Sequence, residues 1–139
     1  MNHFEKIQNV LNGVHQKEIP YSFWFHMPEV DLNPKAIAKQ TCEIQEKYNL
    51  DFIKTSNNGM YMTEDYGTEI DHSDVHHGGY SRLVRPFIES NEDWKKVRPM
   101  NINQPALNRE LEFLQLTIDK KGKEVPIIMT IFSPLTTLN

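Results

Sequence analysis

Three short stretches carry side chains suited to chemistry: His26-Met27-Pro28-Glu29, Ser56-Asn57-Asn58-Gly59 and Ser133-Pro134. An imidazole can exchange a proton near neutral pH, hold a carboxylate or ligate a metal. Amides and hydroxyls orient a substrate through hydrogen bonds without adding charge. Each stretch directly follows an apolar run. In parallel α/β folds, sites form at the carboxyl ends of strands. His26, Asn57, Asn58 and Ser133 are therefore the expected substrate-binding residues. The same residue types also make ordinary turns. For His26 alone, a hydrogen-bonded structural role is the favoured reading. No residue is assigned a catalytic role.

Other polar clusters carry less. Residues 71–77 (DHSDVHH) hold three histidines and two aspartates, a donor set zinc accepts. Strand alternation puts His72, Asp74 and His76 on one face and Asp71, Ser73 and His77 on the other. An exposed hairpin tip explains the composition better, so no metal site is expected. Cys42 falls inside a helix, as a small buried side chain does. The neighbouring carboxylates of Glu64 and Asp65 do not face each other, which is weak ground for acid–base work. No glycine-rich phosphate loop or serine-hydrolase elbow is present, and no cofactor is expected.

The elements that would hold these residues can be read from periodicity. Phe4, Ile7, Val10 and Leu11 make a helical stripe closed by Gly13. Residues 19–25 (IPYSFWF) read as strand one. Asn33-Pro34 opens a helix running to about Tyr48, with Ile37, Thr41, Ile44 and Tyr48 inward. Residues 50–55 read as strand two, in parallel crossover with strand one. A hairpin follows, 68–75 out and 80–88 back, turning at 77–79. Ser90 and Asp93 cap a short helix to Val97. Pro105 starts a longer helix with Leu107, Leu111, Leu114 and Ile118 on its inner face, stopped by Gly122. Residues 125–132 read as strand three. Three strands could be half of an open sheet or the start of a closed barrel, which takes about 250 residues when complete.

The chain of 139 residues, 38% apolar and 24% charged, suits one globular domain over residues 1–139. A net charge of −4 argues against nucleic acid as a partner. No apolar run approaches the roughly 20 residues of a membrane span. A single cysteine makes a reducing cytoplasm the expected compartment.

The order Ile19-Pro20 before an aromatic run, then LDFIKTSNNGMYMTEDYG, RPFIESNEDWKKVRPM and VPIIMTIFSPLT, resembles the uroporphyrinogen decarboxylase superfamily. The resemblance runs over residues 4–139. Its most specific parts are Arg85-Pro86 through Asp93-Trp94 and Phe132-Ser133-Pro134-Leu135. It implies an α/β fold: the amino-terminal portion, about three strands, of a (β/α)8 TIM barrel, with a β-hairpin insertion after strand two. It also implies a small-molecule substrate. The named member strips carboxylates from the acetate arms of a porphyrinogen without cofactor or metal. Relatives move methyl groups between corrinoid proteins and thiols, with a zinc held by later parts of the barrel. The decarboxylases carry an arginine-bearing loop after strand one, where this chain has Phe25-His26-Met27-Pro28-Glu29. They carry an aspartate after strand two, where this chain has Asn58. An amide cannot supply the negative charge that stabilises a protonated pyrrole.

Three readings follow. The first is the amino-terminal part of a decarboxylase-family enzyme with its own substrate. The second is a methyltransferase relative, which tolerates both departures. The third is a non-catalytic piece, because the closing strand is expected to need later material to cover it. A homodimer, or the remainder of the barrel, is the expected protein partner.

Overall fold

The computed structural model describes residues 1–133 and 137. Its best-packed part is a pair of helices. Helix α1 (His3–Leu11) is followed by α2 (Pro34–Tyr48), strand β1 (Ile53–Lys54), the short helix α3 (Tyr61–Glu64) and strands β2 (Glu69–Asp71) and β3 (Arg82–Arg85). Helix α4 (Pro105–Lys121) and strand β4 (Ile127–Ile128) close the order. Helix α2 is set as its sequence dictates. The Asn33 carboxamide accepts from the N–H groups of Lys35 and Ala36, Pro34 fills the first turn, and Asn49 ends the helix in the left-handed region at φ 49°. Met27, Ile37, Ala38 and Phe113 form the core between α2 and α4, with Val30, Ile44 and Leu116 against it. Burying Phe113 alone is worth about 1.5–3 kcal/mol.

Helix α4 packs through a face one residue away from the expected stripe. Ala106, Glu110, Phe113, Thr117 and Lys121 turn inward, while Leu111 and Ile118 are 44% and 41% exposed. The buried polar members of this face all have partners. Glu110 meets Asn57 and Arg109, Thr117 Oγ1 donates to Phe113 O, and Lys121 reaches Glu46 and Glu124. Apolar periodicity cannot register such partners. Tyr48, also expected to face inward on α2, is exposed. Its carbonyl accepts from Tyr21 Oη.

The α4 amino terminus is capped from elsewhere. Gln104 makes no side-chain cap; instead the Asp65 carboxylate takes the N–H groups of Ala106 and Leu107 at 2.9 and 2.8 Å. A carboxylate there satisfies two free donors and meets the positive end of the helix dipole.

Strands β1 and β4 pair in parallel, Ile53 with Ile127 and Lys54 with Ile128. The ladder stops early because Thr55 replaces it. The Thr55 hydroxyl accepts from Thr130 N, and Thr130 Oγ1 donates to Thr55 O. The expected strand at 19–25 is corrected: these residues run beside β1 without joining its ladder. Side chains take the ladder's place, with Tyr21 N donating to Asp51 Oδ2 and Trp24 Nε1 donating to Thr55 O. Only Asp51 N to Tyr21 O joins the two backbones there.

Strands β2 and β3 pair antiparallel, but over fewer residues than expected. A 3-10 turn at Val75–His77 ends at Gly78, φ 79°, so the joint is wider than a tight turn at 77–79. Hydrogen bonds from Ser73 and Arg82 hold the Asp71 carboxyl down at about 2 and close β2. The Ser90–Asp93 motif forms with Asp93 as the acceptor, taking both Ser90 N and Ser90 Oγ. Helix α1 buries no residue fully and is tied down by Lys6 Nζ, 2.9 Å from the Asp51 carboxylate. Among the described residues, no helix is long and apolar enough to cross a membrane.

Candidate functional site

Behind the carboxyl end of β1 lies a buried polar network. Thr55 Oγ1 donates to Asn57 Oδ1 at 2.7 Å, and Asn57 Nδ2 donates to Glu110 Oε2 at 2.8 Å. Arg109 Nε meets Glu110 Oε1 at 3.1 Å, and its two Nη atoms grip Glu64 at 3.2 and 2.8 Å. Asn58 turns the other way. Its Nδ2 donates to Asp31 Oδ2 at 2.9 Å and to Ser81 Oγ at 3.0 Å, while its Oδ1 accepts from Met60 N. Ser81 Oγ lies 2.8 Å from His72 Nδ1.

This network contains two acids in low-dielectric surroundings. Burial pushes the Glu110 carboxyl up, against the pull of Asn57 and Arg109. Burial likewise pushes Asp31 up, against its Asn58 hydrogen bond and the charges of Arg109, His26 and His72. Asp31 Oδ1 is buried without a hydrogen-bond partner among the described residues. A carboxyl whose folded pKa is raised binds protons more readily in the native state. Its penalty is absent below the unfolded value and grows as pH climbs through the folded one. Asp31→Asn is therefore expected to stabilise the fold at pH 7 by roughly 1 kcal/mol. The difference in melting temperature from the parent should widen between pH 4 and 8. A difference flat with pH would contradict the assignment of charge to Asp31.

In front of this network is an accessible row of rings. The His26 ring stands 4.9 Å from Trp24 and 5.4 Å from Tyr80, edge-on to both. The Lys54 ammonium lies 5.1 Å from the Trp24 ring centre. Beyond β4 lies a separate cleft of about 610 Å³, whose walls include Met62, Tyr66, Leu83, Phe87, Ile131 and Phe132, with threonine hydroxyls and, among the described residues, no charged side chain.

The four expected pocket residues are thus placed differently. Asn57 and Asn58 are buried, 6% and 1% exposed, and join one network. His26 is half-buried among rings. Ser133 is exposed after β4, its carbonyl accepting from Thr137 N. Pro134 and Leu135, expected beside it, lie outside the described residues. Sequence reasoning missed Asp31, Arg109 and Glu110. The one signal for Glu110 was its place in the run 106, 110, 113, 117 on α4. Glu64 and Asp65 serve structure: one grips Arg109, the other caps α4. Among the described residues, no three His, Cys, Asp or Glu side chains are placed to hold a metal together.

The family model for uroporphyrinogen decarboxylase (URO-D) matches residues 21–139. The chain belongs to the URO-D family. A solved methyltransferase from Methanosarcina mazei superposes with a TM-score of 0.77 at 17% identity, covering 99% of this chain and 44% of that one. The URO-D chain here thus spans under half the length of that neighbour, a protein of the TIM-barrel family, and shares a mixed α/β fold with it. Comparison with curated proteins gives no match. The match begins at Tyr21, so Trp24 and His26 lie inside the URO-D homologous region.

Proposed function

We propose that this chain forms part of the substrate wall of a URO-D-superfamily enzyme whose small-molecule substrate carries few carboxylates, in the manner of the methyltransferase relatives. The observation that carries the reading is Asn58. By the resemblance it stands where the decarboxylases have their pyrrole-binding aspartate, and its amide is consumed by Asp31, Ser81 and Met60. The surroundings agree. Arg109 is committed to Glu64 and Glu110, the buried groups beside it are acids, and the cleft beyond β4 has no charged wall. A polycarboxylate would meet too little positive charge here to offset its desolvation. His26 would face the substrate at the strand ends, Ser133 would stand near the cleft's rim, and Asn57 and Asn58 would hold the strand ends in place behind them.

A carboxyl-lyase acting on a substrate with a single carboxylate is the second reading, favoured by the accessible Lys54 over the Trp24 ring. Incubation of the protein with uroporphyrinogen should yield no coproporphyrinogen by chromatography, under conditions where a known decarboxylase turns over. In an intact barrel that contains this segment, a methylated corrinoid with a thiol acceptor should give methyl transfer. Coproporphyrinogen formation would overturn the proposal.

A further inference from the structure

Lys54, Trp24, His26 and Tyr80 line up as a cation followed by three rings, all at least partly open to solvent. Two features set this row apart from a chance surface cluster. First, it is fixed from behind. The Trp24 indole N–H is tied to Thr55 O at 3.2 Å, Thr55 is fully buried, and β1 fixes the Lys54 backbone. Second, Lys54 is paired with no carboxylate among the described residues. Its ammonium rests on the Trp24 face instead. Lys47 sits likewise over the Tyr48 ring at 5.1 Å on helix α2, so the row is distinguished by its three successive rings together with the ammonium, not by the ammonium alone.

An ammonium held over a ring keeps most of its capacity to bind an anion, because the ring quadrupole attracts it weakly. The rings offer stacking or edge contacts to a flat ligand. One cation meets one negative group. The spacing from the Trp24 ring to the His26 ring is that of neighbouring aromatic groups, so charge and ring of a ligand would be read side by side. We infer that the Lys54–Trp24–His26–Tyr80 row binds an aromatic ring bearing a single anionic group such as a carboxylate. This deepens the reading above and rests on its placing of the substrate at the strand ends. A nucleic acid is not the ligand this row suits, since the chain carries net negative charge and the row holds a single lysine.

The test reads binding without turnover, so an inactive assay and a failed binding experiment remain distinguishable. The indole N–H resonances of Trp24 and Trp94 are separated in a nitrogen–proton correlation spectrum, assigned through Trp94→Phe. Benzoate, benzamide and acetate are then titrated to the millimolar range. Benzoate should shift the Trp24 peak saturably, and benzamide should bind about tenfold more weakly. Acetate should leave the peak unmoved. Lys54→Met should weaken benzoate about tenfold, with unchanged circular dichroism, and Lys54→Arg should restore most of the affinity. Equal binding of benzoate and benzamide, parental affinity in Lys54→Met, or no saturable shift would each overturn the inference.

Discussion

Asn58→Asp is expected to destabilise the fold by about 3–5 kcal/mol at pH 7. The new carboxylate has no room for its charge. The amide nitrogen that now donates to Asp31 Oδ2 at 2.9 Å would become a carboxylate oxygen facing another carboxylate. Both positions are buried, 1% and 6% exposed, so water cannot screen the pair. The pair would share protons, and its raised apparent pKa gives the effect a direction. The penalty is greatest above that raised value and shrinks as pH falls through it. Urea unfolding at pH 5 and 8 measures it. A loss under 1 kcal/mol at pH 8 would mean that Asn58 and Asp31 do not face each other as described. The double variant Asn58→Asp/Asp31→Asn should recover much of the loss, because it swaps the donor and acceptor across one contact.

Arg109→Met carries the second large effect, again about 3–5 kcal/mol. Arg109 is the positive charge contacting both Glu64 and Glu110, and its own side chain is only 15% exposed. Burial disfavours its charge, and the Glu64 and Glu110 contacts outweigh that, so its pKa rises. Removing it leaves Glu110, 1% exposed, with the Asn57 amide alone. The Glu110 carboxyl would be pushed further up. The loss is then larger at pH 8 than at pH 5, since protonation at the lower pH relieves the unpaired charge. Adding Glu110→Gln to Arg109→Met should return at least about 1 kcal/mol by thermal or urea unfolding. If the double variant is no more stable than Arg109→Met, Arg109 acts through packing and not through charge.

What the sequence made legible follows from which forces are local. The α2 cap at Asn33-Pro34 and the helix end near Tyr48 were readable because a cap involves residues within one turn. The expected parallel crossover between strands one and two did not form; β1 pairs in parallel with β4 instead, the strand expected third. The aromatic run at 19–25 misled because strand propensity says nothing about competitors for ladder positions. The Trp24 indole and the Asp51 carboxylate are such competitors. The inner face of α4 misled for a related reason. Glu110 and Lys121 are buried there because residues tens of positions away, Asn57 and Glu46, meet them. At the site, the strand-end rule led to His26, Asn57 and Asn58. It could not tell which side chains face outward and which are consumed behind. Asp31 left no trace, since one acid between Val30 and Leu32 looks like a solvated loop residue until Asn58 folds onto it.

The cap on α4 has a consequence for synthesis on the ribosome. Asp65 precedes Ala106 by 41 residues, so it leaves the exit tunnel first. At about 5–20 residues per second, the acceptor is waiting some 2–8 s before the first turn of the helix emerges. Helix nucleation is the unfavourable step in forming a helix, and here the emerging amino end meets a partner already made. The chain's own direction of growth therefore favours seating α4 against α3 as it appears.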